Sequence, residues 1–188
     1  MSKNGHTLAA VAVGGYIALA VPHCALLGLV TALAGRIPDT IEGVTGFGPN
    51  GERRSLIPHR TLSHSPWTWA ALLVIGLLLP KVPTSVGPIA VGHVLSGIGA
   101  GAVLHLALDL FSPTGIPLGN PFGARTSFGP YLSGGRHPYL YRTSTPEEWP
   151  LLLPFAAILA TEIAVAGFWF IVGGASELSS IGAALTGR

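Results

Sequence analysis

Only two aspartates occur in the chain, Asp39 and Asp109, and both fall beside histidine-bearing segments. His105 and Asp109 stand four residues apart in an apolar run that reads as a helix, so their side chains share one face. An imidazole nitrogen and a carboxylate oxygen each reach Zn²⁺ at about 2.0–2.2 Å, so that face could present both to one ion. The competing reading is an internal hydrogen-bonded pair. A second concentration of chemistry is Pro58-His59-Arg60-Thr61-Leu62-Ser63-His64-Ser65-Pro66. His59 and His64 are further candidate ligands, or else imidazoles of an interfacial loop that meet headgroups or water. Arg60 stays protonated and is a poor metal ligand, but its planar fork suits a phosphate or a carboxylate. Ser63 and Ser65 could orient ligands or cap the helix that follows, and Ser65 is the better placed to cap. No G-x-S-x-G elbow supports a nucleophilic serine.

The elements that must carry these residues are membrane helices. Of 188 residues, 49% are hydrophobic and only 10% charged. The mean hydropathy of +0.57 exceeds that of an ordinary soluble domain. The formal charge of +2 comes from a few Lys and Arg in connecting segments, without a basic cluster interleaved with aromatics, so there is no nucleic-acid signal. Cys24 is the only cysteine and lies in an apolar run, which excludes an intrachain disulfide.

Residues 7–35 read either as one long helix or as two shorter ones meeting near Pro22. Only the second arrangement returns His6 to the side of the segment after Gly35. The polar His6 and the Pro22-His23 break favour a retained helix over a signal peptide. Residues 36–66 form a first polar loop, and Trp67 to Leu79 a short helix bracketed by Pro66 and Pro80. Ile89 to Phe111 is long enough to span, with small residues from Gly92 to Gly101 that allow close helix approach. Residues 112–149 make a second polar loop, Pro150 to Gly174 a last membrane helix holding Glu162, and 175–188 a small polar tail.

The expected architecture is all-α: a single domain over 1–188, polytopic, with about four to five membrane-embedded helices and both polar loops on one side. Those loops hold seven of the ten Lys and Arg residues, which predicts that they face the cytoplasm. His23 and His93 read as structural. Glu162 reads as a proton-linked group, an outer-shell partner or a protonated acid packed against another helix.

In order, His6, Pro38-Asp39, His59-Arg60-Thr61-Leu62-Ser63-His64-Ser65 and His105-Leu106-Ala107-Leu108-Asp109, followed by Ser112-Pro113-Thr114-Gly115-Ile116-Pro117, resemble a known family. It is the YdjM-type, LexA-binding, inner-membrane-associated family of predicted metal-dependent hydrolases. Its members show an early His, P-D-x-D, H-R-G-x-T-H-S, and H-x-x-x-D followed by T-x-x-G-x-x-x-x-x-P. Here Ile41 replaces the second acidic residue, with Glu42 next to it, and Thr61 and Ser63 stand for Gly and Thr. The family's later acidic residue corresponds to Glu147 or Glu148. The ligand order is also similar to that of helical zinc-dependent phospholipases C.

The resemblance implies a bacterial inner-membrane protein in which His6, Asp39, His59 or His64, His105 and Asp109 bind Zn²⁺ or another divalent metal such as Mn²⁺. Glu42 and Arg60 would assist a metal-activated water at the cytoplasmic face, with a phosphoester or lipid headgroup as substrate. The non-enzymatic alternative is a membrane scaffold or partner-binding protein with a structural metal or histidine cluster. A transporter, motivated by Glu162, would instead require a polar path through the bilayer.

Overall fold

The structure, a computed structural model, describes the chain except residues 22, 50–52, 58–60, 80–85, 121, 123, 129–130, 134–136 and 187–188. Residues 44, 47, 53–54, 86–88, 131–133, 137–139 and 169–186 are described by their backbone alone. Six helices carry the fold: α1 (Lys3–Ala20), α2 (Ala25–Ala34), the single turn α3 (Ile37–Thr40), α4 (Pro66–Leu78), α5 (Val86–Asp109) and α6 (Trp149–Thr186).

The first apolar run is a hairpin, not one long helix. α1 stops at Val21, His23 adopts a left-handed φ of 63°, and α2 runs back along α1. Glycine makes the approach close. A Cβ on Gly14 would lie 2.7 Å from Ala32 N, and one on Gly28 would lie 2.6 Å from Ala18 N, closer than side chains tolerate. α5 is the central helix, packed between α4 and α2. Gly99 faces α4, where an added Cβ would meet Leu73 N at 2.6 Å, whereas Gly97 and Gly101 face Leu27 O and Thr31 O of α2. Small residues are what let these backbones meet, because lipid offers no hydrophobic drive to bring helices together.

α6 packs mainly on α1. Two stretches are long and apolar enough to cross a membrane, Ile89–Asp109 and Pro146–Phe168. The first is 44% buried within the fold and the second only 6%, so α5 is interior while most residues of the 146–168 stretch are not buried within the fold. Ala25–Ala34 and Pro66–Leu78 are apolar but shorter. The segment expected as a polar tail continues α6 to Thr186.

The polar loops depart from the all-α expectation. The first holds β1 (Val44–Phe47) antiparallel to β2 (Arg53–Ser55), and the second β3 (Tyr131–Ser133) antiparallel to β4 (His137–Tyr139). Strands this short leave no alternating pattern in sequence. The second loop folds back over the end of α5, whose last carbonyls lack helical partners. Tyr141 Oη donates to Leu108 O at 2.7 Å, Ser112 Oγ to Asp109 O at 2.7 Å, and Phe128 N to Leu110 O at 2.9 Å. Gly115, at φ 57°, makes the turn that pairs Ile116 with Thr126. The Ser112-to-Pro117 stretch therefore seals the end of the helix that bears His105 and Asp109.

Ser65 stands at the N-cap of α4 but makes no side-chain capping bond, contrary to expectation. The starts of α1, α4 and α6 and the ends of α2 and α5 converge at one end of the bundle, joined by the contacts described below.

Enlarging the packing glycines tests this arrangement. Gly99→Val should destabilise the protein by about 1–3 kcal/mol or more through overpacking. Gly167→Ala should be neutral, because nothing lies within 4 Å of the added carbon. Thermal unfolding in detergent, followed by loss of the monodisperse species, reads both. Equal midpoints for the two variants would contradict the packing described.

Candidate metal centre

Asp109 is 1% exposed although it is ionisable and ends a membrane-length helix. Its two oxygens face different partners. Oδ1 accepts from the Met1 amino group at 2.6 Å and lies 3.1 Å from His6 Nε2. Oδ2 lies 3.6 Å from His64 Nε2 and 3.7 Å from His105 Nε2. Asp39 Oδ1 completes the set, 3.6 Å from His64 Nε2 and 3.8 Å from His105 Nε2. Oxygen and nitrogen thus alternate around a four-membered ring: Asp39, His64, Asp109, His105.

The fold explains why four separate segments meet here. His105 and Asp109 share a face of α5. Asp39 sits on α3, a single turn started by Pro38 just after α2. His64 ends a 3-10 turn, Leu62–His64, held by Trp69 Nε1 donating to Ser63 O at 2.7 Å. His6 lies one turn into α1, its ring stacked on His105 with centroids 3.7 Å apart and planes 13° apart.

The ring edges of 3.6–3.8 Å can be compared with a metal's demands. A tetrahedral ion bound at about 2.0–2.2 Å keeps its donors about 3.3–3.6 Å apart, so each adjacent pair of the ring stands within a few tenths of an ångström of that spacing. The edges are also too long for hydrogen bonds. His105 Nε2 is fully buried with no hydrogen-bond partner among the described residues. Two triads, His6–His105–Asp109 and Asp39–His64–His105, have donor atoms close enough to share an ion.

The backs of the two ring imidazoles are occupied, which sets their tautomers. His105 Nδ1 donates to Gly35 O at 2.8 Å, leaving the Nε2 lone pair turned into the ring. His64 Nδ1 is 2.9 Å from Ser63 Oγ and 3.3 Å from Glu42 Oε1, and Ser63 Oγ in turn donates to Glu42 Oε1 at 2.7 Å. His64 therefore also presents Nε2. An N–H donated to a carbonyl or carboxylate is the usual support of a metal-binding histidine. Burial pushes the Asp39 carboxyl up, but the nearby His64 and His105 imidazoles outweigh it and hold the group well below the usual carboxylate range.

The expected site residues fall into three groups. His6, Asp39, His64, His105 and Asp109 come together. Glu42 is fully buried and lies behind His64, away from the ring, with Oε1 3.3 Å from His64 Nδ1. The reason is local: Ile41 ends α3 and points outward at 45% exposure, and the left-handed Gly43, φ 59°, turns the chain so that Glu42 folds beneath. His59 and Arg60 lie outside the described residues.

Of the two later acids, Glu148 is the one tied to the start of α1. It is buried and accepts from Ser2 N at 2.5 Å and Ser144 N at 3.2 Å, which ties α6 to the turn of α1 before His6. Glu147 is exposed and accepts from Arg142 N. The Gly35 carbonyl carries no side-chain signal and could not have been singled out from sequence.

Removing the support behind His64 tests this geometry. Glu42→Ala should weaken divalent-metal affinity about 10–100-fold, as loss of an outer-shell partner typically does, while Glu147→Ala should not change it. Competition with a chromophoric chelator measures both, and equal affinities for the two variants would contradict the assigned role.

No curated protein and no solved structure matches this chain. A family model described as YdjM inner membrane protein matches residues 1–177, a span that contains every helix terminus and side chain gathered at this centre. The chain belongs to the YdjM inner membrane protein family.

Proposed function

We propose that the chain is a multi-pass membrane hydrolase that uses one divalent metal, with Zn²⁺ the best match, to cleave a phosphoester at the cytoplasmic face. The observation that carries this reading is the alternating ring of two carboxylate oxygens and two imidazole nitrogens with 3.6–3.8 Å edges. A mixed N/O set suits a borderline ion.

Asp39, His64, His105 and Asp109 would hold the ion. His6 and the Met1 amino group engage Asp109 Oδ1 and so turn Oδ2 into the ring. Gly35 O fixes the His105 ring, and the Ser63–Glu42 pair fixes His64. The second loop closes the α5 end against water. When bound, the metal supplies a Lewis acid for the phosphoryl group and a water of lowered pKa at neutral pH. In the net reaction water adds to phosphorus, one P–O bond breaks, and the alcohol leaves with a proton. Arg60 remains the proposed phosphate partner, because a guanidinium matches an anionic oxygen pair.

Membrane placement rests on the family and on the two membrane-length apolar stretches. Multiple passes are supported by the hairpin of α1 with α2 and the packing of α4 on α5, which bring five helix ends to the centre. The Lys and Arg of the two loops favour the cytoplasmic side.

One observation favours the scaffold reading: four protein donors are the number that closes a structural zinc site. Against it stands Asp39, whose side chain is 21% exposed while the other three ring members are at or below 1%, so the ring has one accessible edge.

The test is to purify the protein in detergent without chelator, measure metals by mass spectrometry, and screen phosphomonoesters and phosphodiesters. About one zinc or manganese per chain is expected, lost in a folded His105→Ala/Asp109→Ala variant together with hydrolysis. No metal after incubation with Zn²⁺ or Mn²⁺ would sink the mechanism. Stoichiometric metal without turnover of any ester would favour the scaffold.

A further inference from the structure

Glu162 lies deep in the apolar stretch that ends at Phe168. Its carboxyl rests on α1, where a Cβ added to Gly15 would overlap Glu162 Oε2. Oε1 is buried and finds no hydrogen-bond partner among the described residues. The adjacent Thr161 hydroxyl is committed elsewhere, since its Oγ1 donates to Ala157 O at 2.9 Å. An acid without a partner is costly in hydrocarbon, and such groups mark sites that bind or carry something.

The same carboxyl lines a groove of about 460 Å³ between α1 and α6, walled by Tyr16, Leu19, Ile158, Thr161 and Val165. That volume falls in the range of small-molecule sites, about 300–1,000 Å³. The lining is mostly apolar and includes no Lys, Arg or His. Tyr16, Leu19 and Val165 are exposed, so the groove is open to the surroundings of the bundle. Gly15 is thirteen residues beyond Ser2, and Glu162 thirteen beyond Trp149. Both therefore sit roughly 20 Å along their helices from the metal end. The groove shares no residue with the metal centre.

We propose that this groove binds a single-chain amphiphile with a primary ammonium head: the ammonium meets Glu162, and the alkyl chain lies along Leu19, Ile158 and Val165. The groove offers an acceptor and a negative charge but no cation, so charge complementarity selects a positively charged donor. Hydrogen bonds between ionised partners are roughly twice as strong as neutral ones, and the pair removes the cost of a lone carboxylate in hydrocarbon. An alcohol would gain only the weaker bond. A fatty acid, or an amine tethered to a lipid phosphate, would set a second negative charge near Glu162. The site is separate from the hydrolase reading and does not depend on it.

The experiment uses the full chain in phosphatidylcholine nanodiscs with a long-chain primary alkylamine carrying a mid-chain diazirine, and the alcohol of the same chain as its control. Cross-links are mapped by peptide mass spectrometry, with the exposed α4 residues Val74 and Leu77 as the background for lipid-facing positions. Expected is amine labelling at Leu19, Ile158 and Val165 several-fold above that background, with the alcohol at background. Glu162→Gln keeps the shape of the side chain but removes its charge, and should cut the apparent affinity for the amine about tenfold or more, the scale of a hydrogen bond to a charged group. Ile158→Trp, which fills the groove and leaves Glu162 in place, should abolish the excess as well, and keeps the test open where the glutamine variant does not fold. Metal content should be unchanged in both variants. Amine labelling no denser than on α4, equal labelling by the alcohol, or an excess that survives Glu162→Gln overturns the ammonium site. Loss of the excess when phosphatidylethanolamine is added to the nanodiscs overturns the single-chain amine in favour of an aminophospholipid.

Discussion

The constraint on which the structure turns is the burial of Asp109 at the end of a membrane-length helix. A carboxylate in that position is costly unless partners surround it. Four groups bring them: the Met1 amino group, His6 from α1, His64 from the first loop and His105 from its own helix. Satisfying one carboxylate thus fixes the level at which five helix ends meet, and that level is where the polar loops must attach. A second carboxylate, Asp39, is drawn into the same few ångströms. Two acidic groups and three imidazoles so close together make sense physically when a cation completes them.

Close backbone packing serves that gathering. Glycines at 97, 99 and 101 let α2 and α4 approach α5 from two sides, which places the Gly35 carbonyl within 2.8 Å of His105 Nδ1. The hairpin turn near His23 sends α2 back to the end where α1 begins. The second loop then caps the last carbonyls of α5 through Tyr141, Ser112 and Phe128. Side-chain chemistry and backbone closure therefore occur at the same place, with little room for water around Asp109.

What could be read from sequence was what has a period or a costly residue. His105 and Asp109 at i, i+4 were legible because helical spacing dictates a shared face, and the small residues of α5 because close packing requires them. The joint order of His6, Asp39, His64 and the H-x-x-x-D pair pointed to the family. The hairpin of α1 and α2 remained open, since Pro22 is compatible with a kink or a break. Glu42 stood out in sequence as the neighbour of an expected acidic position, but that Gly43 folds it behind His64 could not be read there. Choosing Glu148 over Glu147 required knowing which carboxylate reaches Ser2 N. Four strands of three or four residues were too short to register, and a backbone carbonyl such as that of Gly35 leaves no trace in side-chain patterns.

The central claim is that Asp39, His64, Asp109 and His105 bind one divalent ion together. X-ray absorption at the zinc edge of the purified, zinc-loaded chain tests it most directly. The predicted spectrum has only nitrogen and oxygen neighbours at about 2.0–2.2 Å, with outer-shell scattering from two or three imidazole rings. A sulfur neighbour at about 2.3 Å, implicating Cys24, or an oxygen-only shell without imidazole scattering, would contradict it.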